Sequence, residues 1–195
     1  MAIVSEGAAQ DGDGLYGRYM RSVTLGLEVG GGVGESRSTK APTIALAQRT
    51  LFFASAGPVV LATFQPKYDQ RRLGVGADLR PLFPAMFFLD MSTSREFVDL
   101  MLQSLSIEVG AFFLLDGSGH AGFWAGAGFE IPLIRSARTP QRLALRLSAH
   151  RQKMQDRYLG ASANADGWDA LGTLIYYVGV GKHVGGWEPK RYRNR

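Results

Sequence analysis

The 195-residue sequence contains no cysteine. This absence excludes disulfide bonds and thiolate metal sites. The chain also has no run of about 18 apolar residues, which is the length that a transmembrane helix needs. Its longest apolar stretch, Leu51 to Phe64, is shorter and contains the pair Gly57-Pro58. We therefore expect no membrane-spanning helix.

Signals for catalysis and cofactor binding are missing as well. The three histidines, His120, His150 and His183, have none of the spacings typical of metal sites. The glycine-rich segment 30–34 is not followed by Lys-Ser/Thr or by a helical pattern, so nucleotide binding is not expected. Ser148 and His150 share one predicted strand face, but a Ser-His pair needs a third, orienting acid. The sequence predicts no enzyme, no metal and no cofactor.

The charge of the chain is basic but dispersed. The formal net charge is +5 and the isoelectric point is about 9.7. Apart from the tail, the basic residues form no stripe on a predicted helix, so nucleic acid is not a predicted partner. A basic barrel rim that meets anionic lipid headgroups explains the same charge. The start of the chain has no basic segment typical of a secretory signal, since Glu6, Asp11 and Asp13 follow Met1 closely.

Strict alternation of apolar and small or polar residues begins near Arg21. Val23, Leu25, Leu27 and Val29 share one face, and Ser, Thr, Gly and Glu residues share the other. This period of two is the signature of a β-strand. Five further segments repeat it, and 43–64 accommodates two strands separated near 55–58. The five segments are 72–80, 104–113, 122–131, 142–150 and 173–181.

These strands predict an all-β fold, an antiparallel up-and-down transmembrane β-barrel of about eight strands. The segment 116–119, Asp-Gly-Ser-Gly, predicts a hairpin turn. Longer connections are expected at 80–97 and 152–168, with a short helix near 95–102. In this interpretation, residues 1–17 form a flexible N-terminus, residues 18–187 form the barrel domain, and residues 188–195 form a basic C-terminal tail.

The composition of the polar face indicates which face points inward. It holds Gly, Ser and a few charges of both signs, which suits the narrow interior of an eight-stranded barrel better than a solvated surface. Buried charges must be paired, because desolvating them singly costs several kcal/mol. We therefore predict a lumen network of four acidic and four basic side chains. Its members are Glu28, Arg72, Asp78, Arg80, Glu108, Glu130, Arg142 and Arg146.

Three short segments carry a family resemblance. They are 76–84 (GADLRPLFP), 100–110 (LMLQSLSIEVG) and 126–133 (GAGFEIPL). In this order and spacing they resemble segments of uncharacterised outer-membrane β-barrel proteins of myxobacteria and their relatives. The resemblance spans about residues 20–181. It implies a barrel in the bacterial outer membrane and implies no activity.

Four functions remain open at this point. The first is an outer-membrane barrel with a structural or envelope-interaction role. Its lumen is closed by the charge network, and its partners are membrane lipid, lipopolysaccharide or an envelope protein bound by the loops. The second is a small outer-membrane pore, and the third is an outer-membrane lipid enzyme. The fourth is a soluble β-barrel that binds an apolar ligand, in which the apolar face would point inward. The sequence favours the first.

Overall fold

The computed structural model describes residues 22–36, 39–89, 91, 96–115, 120–135, 142–154 and 167–180. The predicted flexible N-terminus and basic tail lie outside the described residues. The described chain is mostly strand, as the period-two patterns predict. The eight strands are β1 (Val23–Ser36), β2 (Thr39–Phe52), β3 (Ala56–Gln65), β4 (Gln70–Leu79), β5 (Ser106–Leu114), β6 (Ala121–Arg135), β7 (Arg142–Met154) and β8 (Gly167–Val180).

The strands form one closed barrel in sequence order. Each strand pairs antiparallel with the next, and β8 pairs antiparallel with β1. Leu27, for example, lies opposite Gln48 of β2 on one side and Tyr176 of β8 on the other. The prediction of an antiparallel up-and-down barrel of about eight strands is thus confirmed. No described helix is long and apolar enough to cross a membrane.

Many large apolar side chains of the strands point outward, while a smaller set, which includes Phe112, Trp124 and Ile175, is buried inside the barrel. Leu27 is 61% exposed and Val29 is 56% exposed, whereas Glu28 between them is 6% exposed. In β5 the apolar residue is again the exposed one, since Ile107 is 51% exposed and Glu108 is fully buried. The structure therefore agrees with the outward direction that the polar-face composition indicates.

Glycine brings β1 against β8. A Cβ atom added at Gly32 would lie 1.9 Å from the backbone oxygen of Ala170, and one added at Gly30 would lie 2.2 Å from that of Gly172. No side chain fits at such distances. The glycines at 30–34 thus serve close strand packing, which is a common role of glycine inside strands.

Two helices lie at one end of the barrel. The connection between β4 and β5 contains α1 (Leu82–Phe88) and α2 (Glu96–Gln103), and we call this the helix end. Phe83, Met86 and Leu100 are buried there. The prediction of a helix near 95–102 is confirmed by α2, but the prediction of a loop over 80–97 is wrong for α1. The apolar residues of α1 are contiguous and include Pro84, so the segment shows no helical periodicity.

Two other predicted boundaries also differ from the structure. The turn between β2 and β3 lies at 53–55 rather than 55–58, and Phe53 and Ala54 have positive φ there (49° and 53°). The predicted loop 152–168 is shorter, because β7 reaches Met154 and β8 begins at Gly167. Gln152 and Asp169 point inward there, whereas Lys153 is exposed, and a polar strand end resembles a loop in sequence. The predicted turn 116–119 lies outside the described residues.

Candidate functional site

The barrel interior holds charged side chains that are shielded from solvent. Those contributed by the strands and by Arg80, which directly follows β4, are each at most 6% exposed. Carboxylates slightly outnumber guanidinium groups. The carboxylates are those of Glu28, Asp78, Glu108, Glu130 and Asp169, and the guanidinium groups are those of Arg49, Arg72, Arg80 and Arg146.

Arg49 lies at the centre of the larger group. Its Nε contacts Glu28, its Nη1 lies 2.9 Å from Asp78 Oδ2, and its Nη2 donates to Glu108 Oε2 at 3.2 Å. Thr173 Oγ1 donates to the other oxygen of Glu28 at 3.0 Å. One guanidinium from β2 thereby joins carboxylates from β1, β4 and β5. Such a bridge fixes strands that are not neighbours in the sheet.

Arg146 and Arg80 extend this group towards the helix end. Arg146 contacts Glu108 and donates to Glu130 Oε1 at 3.2 Å. Arg80 donates to the same Glu130 oxygen at 2.5 Å and to the hydroxyl of Tyr177 at 2.8 Å. These contacts connect β4, β5, β6, β7 and β8. We call the whole set the central cluster; it consists of Glu28, Arg49, Asp78, Arg80, Glu108, Glu130 and Arg146.

Arg72 belongs to a second, separate group. Its Nη1 contacts Gln152 and lies 3.3 Å from Asp169 Oδ2, and its Nη2 donates to Gln70 Oε1 at 2.8 Å. Gln152 also donates to Asp169. We call Arg72, Asp169, Gln65, Gln70 and Gln152 the upper cluster. It lies towards the turn end, the end of the barrel that carries the connection Pro66–Asp69.

Little space lies between the two clusters. His150 points into the interior, with its Nε2 3.3 Å from Glu108 Oε2 and its ring edge-to-face with Trp124 at 5.1 Å. The cavity lined by these two rings, Arg72 and Gln152 has a volume of about 10 Å³. That is about the room for one water molecule. The described interior is therefore packed with side chains at this level.

The structure brings six of the eight predicted lumen residues into one group. Arg72 is buried as predicted in the barrel, but it faces Asp169 rather than the other predicted carboxylates. Arg142 begins β7, and its side chain lies outside the described residues. The six that meet in the central cluster are Glu28, Asp78, Arg80, Glu108, Glu130 and Arg146.

Sequence reasoning missed two charged members. Arg49 lies in the segment 43–64, whose alternation is too poor to fix a register, yet its spacing from the small residues Ala45 and Ala47 places all three on one face. Asp169 lies between the predicted loop 152–168 and the predicted strand 173–181, and the structure places it opposite His150 in the pairing of β7 with β8. The small residues Ala45 and Ala47 on the same face as Arg49 were the sequence feature that could have placed Arg49 in the interior.

Ion pairing is the chemistry of the charged part of the interior, which lies beside buried apolar clusters. The carboxylates face guanidinium groups, and His150 faces Glu108 rather than Ser148. Within the described part of the chain, no group of three or more His, Asp or Glu side chains has an arrangement that could hold a metal ion. What this arrangement does is link strands across the lumen.

Comparisons with known proteins give one structural likeness. No protein family and no curated protein matches the sequence. The fold is similar to the crystal structure of the outer membrane protein OprG from Pseudomonas aeruginosa, with a TM-score of 0.47 and 9% identity. The likeness covers 83% of this chain and 98% of that one. The fold assignment rests on the strand pairing of this chain itself.

Proposed function

We propose that this chain is a bacterial outer-membrane β-barrel with a structural or envelope-interaction role and a closed lumen. The observation that carries the proposal is an outer face rich in exposed large apolar side chains around an interior that holds buried ion pairs beside apolar clusters. Soluble barrels place their apolar side chains in the core. A closed antiparallel barrel with an even number of strands and an outward apolar band is the form that spans bacterial outer membranes.

The height of the apolar band supports a membrane span. The outward residues of β8 are apolar from Ala170 to Val180, ten steps along the strand. At about 3.4 Å per residue and a tilt of about 40°, ten steps rise about 26 Å. The apolar band of outer-membrane barrels is about 25 Å tall. The strand length therefore matches the bilayer core.

Within the described part of the barrel, the exposed charged side chains lie at one rim. Among side chains that the structure describes, every charged one that is exposed lies towards the turn end. One polar pair within the apolar band is satisfied internally, because Gln48 donates to Thr50 at 2.8 Å. The exposed charged residues are Lys40, Lys67, Asp69, Arg71, Arg151 and Lys153.

Two features support a closed lumen. The central cluster crosses the barrel, and ions would have to displace these ion pairs to pass. At the helix end, Phe83 is buried, and Ser104 at the end of α2 accepts a hydrogen bond from the backbone nitrogen of Glu130 at 2.8 Å. An eight-stranded interior is just wide enough for side chains to fill. The proposed role is accordingly that of a closed barrel and not that of a pore.

Site-specific labelling tests the membrane span. The chain has no cysteine, so each introduced cysteine is unique. In lipid vesicles, Ile107→Cys and Val109→Cys should react with a lipid-soluble maleimide and resist a bulky water-soluble one. Lys153→Cys, at the charged rim, is the matched control and should react with the water-soluble reagent. Equal aqueous reactivity at all three positions would refute the span.

Conductance tests the closed lumen separately. The full chain, reconstituted in a planar bilayer, should conduct few or no ions. A large and stable conductance, with the labelling pattern unchanged, would favour the small pore instead. Purification as a monodisperse monomer without detergent would favour the soluble barrel.

A further inference from the structure

A groove indents the outer face of the barrel at β6, β7 and β8. It has a volume of about 470 Å³, which is within the range of about 300–1,000 Å³ typical of small-ligand sites. Small residues of the three strands form its floor, and larger side chains form its walls. The floor consists of Ala127, Ala149, Ala170 and Gly172, and the walls of Leu105, Phe129 and Leu147.

The register explains the indentation. Ala127 lies opposite Ala149, and Ala149 lies opposite Ala170, so three small residues form one row across three strands. Gly172 adds a further small position, and a Cβ added there would meet no atom closer than 3.6 Å. An empty groove would forfeit dispersion contacts along its floor. An apolar chain of matching shape would restore them.

Basic side chains lie beyond the groove towards the turn end, outside its lining residues. On the same outward face, two residues beyond Ala149 and Ala170, Arg151 lies opposite Trp168. Lys153 follows on β7, and Lys40 lies over the ring of Trp168 at 5.8 Å. Arg151 and Lys153 are exposed, and neither forms an ion pair with another described residue. Cations beside an apolar groove complement a ligand with an apolar chain and an anionic head.

We propose that this groove binds one molecule of an anionic membrane lipid. An acyl chain lies on Ala127, Ala149 and Ala170, and the lipid phosphate is bound by Arg151 and Lys153. This site rests on the proposed membrane span, since a lipid reaches it from the bilayer. A second copy of the chain fits less well, because a standard interface needs about 20–30 residues a side and ten residues line this groove.

A second groove on the opposite wall provides an internal control. It has a volume of about 370 Å³ and is lined by residues of β2, β3 and β4 and by Leu115, with Arg71 among the lining residues. Arg71 is already occupied, because its Nη2 lies 3.3 Å from Asp69 and its guanidinium lies over the ring of Phe64 at 5.7 Å. Its free capacity for a phosphate is therefore smaller than that of Arg151.

Native mass spectrometry of the full chain, released from detergent with phosphatidylglycerol added, tests the site. The parent should retain one phosphatidylglycerol in preference to phosphatidylcholine with the same acyl chains. Arg151→Gln with Lys153→Gln should weaken retention about thirtyfold (about 2 kcal/mol), from about 1 kcal/mol for each basic side chain near the surface. Ala149→Leu, which fills the groove and keeps both cations, should also weaken it. Arg71→Gln should leave retention unchanged.

Three outcomes would overturn the site. Equal retention of both lipids would remove the role of the cations, and equal loss in Arg71→Gln would make the effect one of general charge. A dimer that Ala149→Leu dissociates would identify a second copy as the occupant. Each variant is also reconstituted and labelled through Val109→Cys. If the cysteine of Val109→Cys resists the water-soluble reagent and no lipid preference is found, the site alone is refuted. If that cysteine reacts with the water-soluble reagent, the membrane span is refuted.

Discussion

Arg49 offers the sharpest test of the ion-paired interior. It is 1% exposed and contacts three carboxylates, those of Glu28, Asp78 and Glu108. At about 3 Å and an effective dielectric constant of about 20, each pair is worth about 5 kcal/mol of attraction. Much of this is offset by desolvation of the guanidinium, a cost that Arg49→Met also removes. The remaining penalty is that of unpaired buried carboxylates, so we expect the free energy of unfolding to fall by about 3–5 kcal/mol.

The assay is urea unfolding in phospholipid vesicles, followed by tryptophan fluorescence. Arg71→Met is the matched control, because Arg71 is an exposed arginine whose partner Asp69 is exposed as well. Exposed pairs contribute about 0–1 kcal/mol. Arg49→Lys should fall between the parent and Arg49→Met, because an ammonium group keeps the charge but cannot fork towards three carboxylates.

A second substitution separates charge from packing. In Arg49→Met, the Glu28 carboxylate retains only the hydroxyl of Thr173 among its described partners. Adding Glu28→Gln removes that charge, and part of the lost stability should return. The reasoning fails if Arg49→Met is no less stable than Arg71→Met. It also fails if Glu28→Gln lowers the stability of Arg49→Met by the same amount as it lowers that of the parent. Either result would indicate a hydrated interior.

Three further predictions concern other parts of the barrel. Glu108→Ala should destabilise the barrel less than Arg49→Met in the same urea assay, because the central cluster has more carboxylates than guanidinium groups; a larger loss would contradict this ordering. Gly32→Ala should lower the yield of refolded barrel in a gel-shift assay, since its Cβ would lie 1.9 Å from a backbone oxygen. Gly172→Ala should refold normally in the same assay, because the nearest atom to its Cβ is 3.6 Å away. Val109→Arg should cost about 2–4 kcal/mol on the lipid face relative to Val109→Ala, and a smaller cost would place Val109 outside the bilayer core.

The alternation of residue types along the sequence predicts the strands of the barrel. In β1 from Val23 to Gly30 and in β5 from Ser106 to Gly110, large apolar residues alternate with small or polar ones, and a strand places alternate residues on opposite faces. Residues such as Glu28 and Glu108 could therefore be assigned to one face without coordinates. The direction of that face followed from its small residues, because an interior of eight strands has little room.

The partners within the interior were decided by the tertiary structure alone. Glu108 meets Arg49 across the lumen, 59 residues away in the chain, and no local pattern fixes which strands face each other. The separation of Arg72 from the central cluster depends on strand register, and so does the groove at Ala127, Ala149 and Ala170. A residue's face follows from its neighbours in sequence. Its contacts follow from the pairing and closure of all eight strands, which are properties of the whole chain.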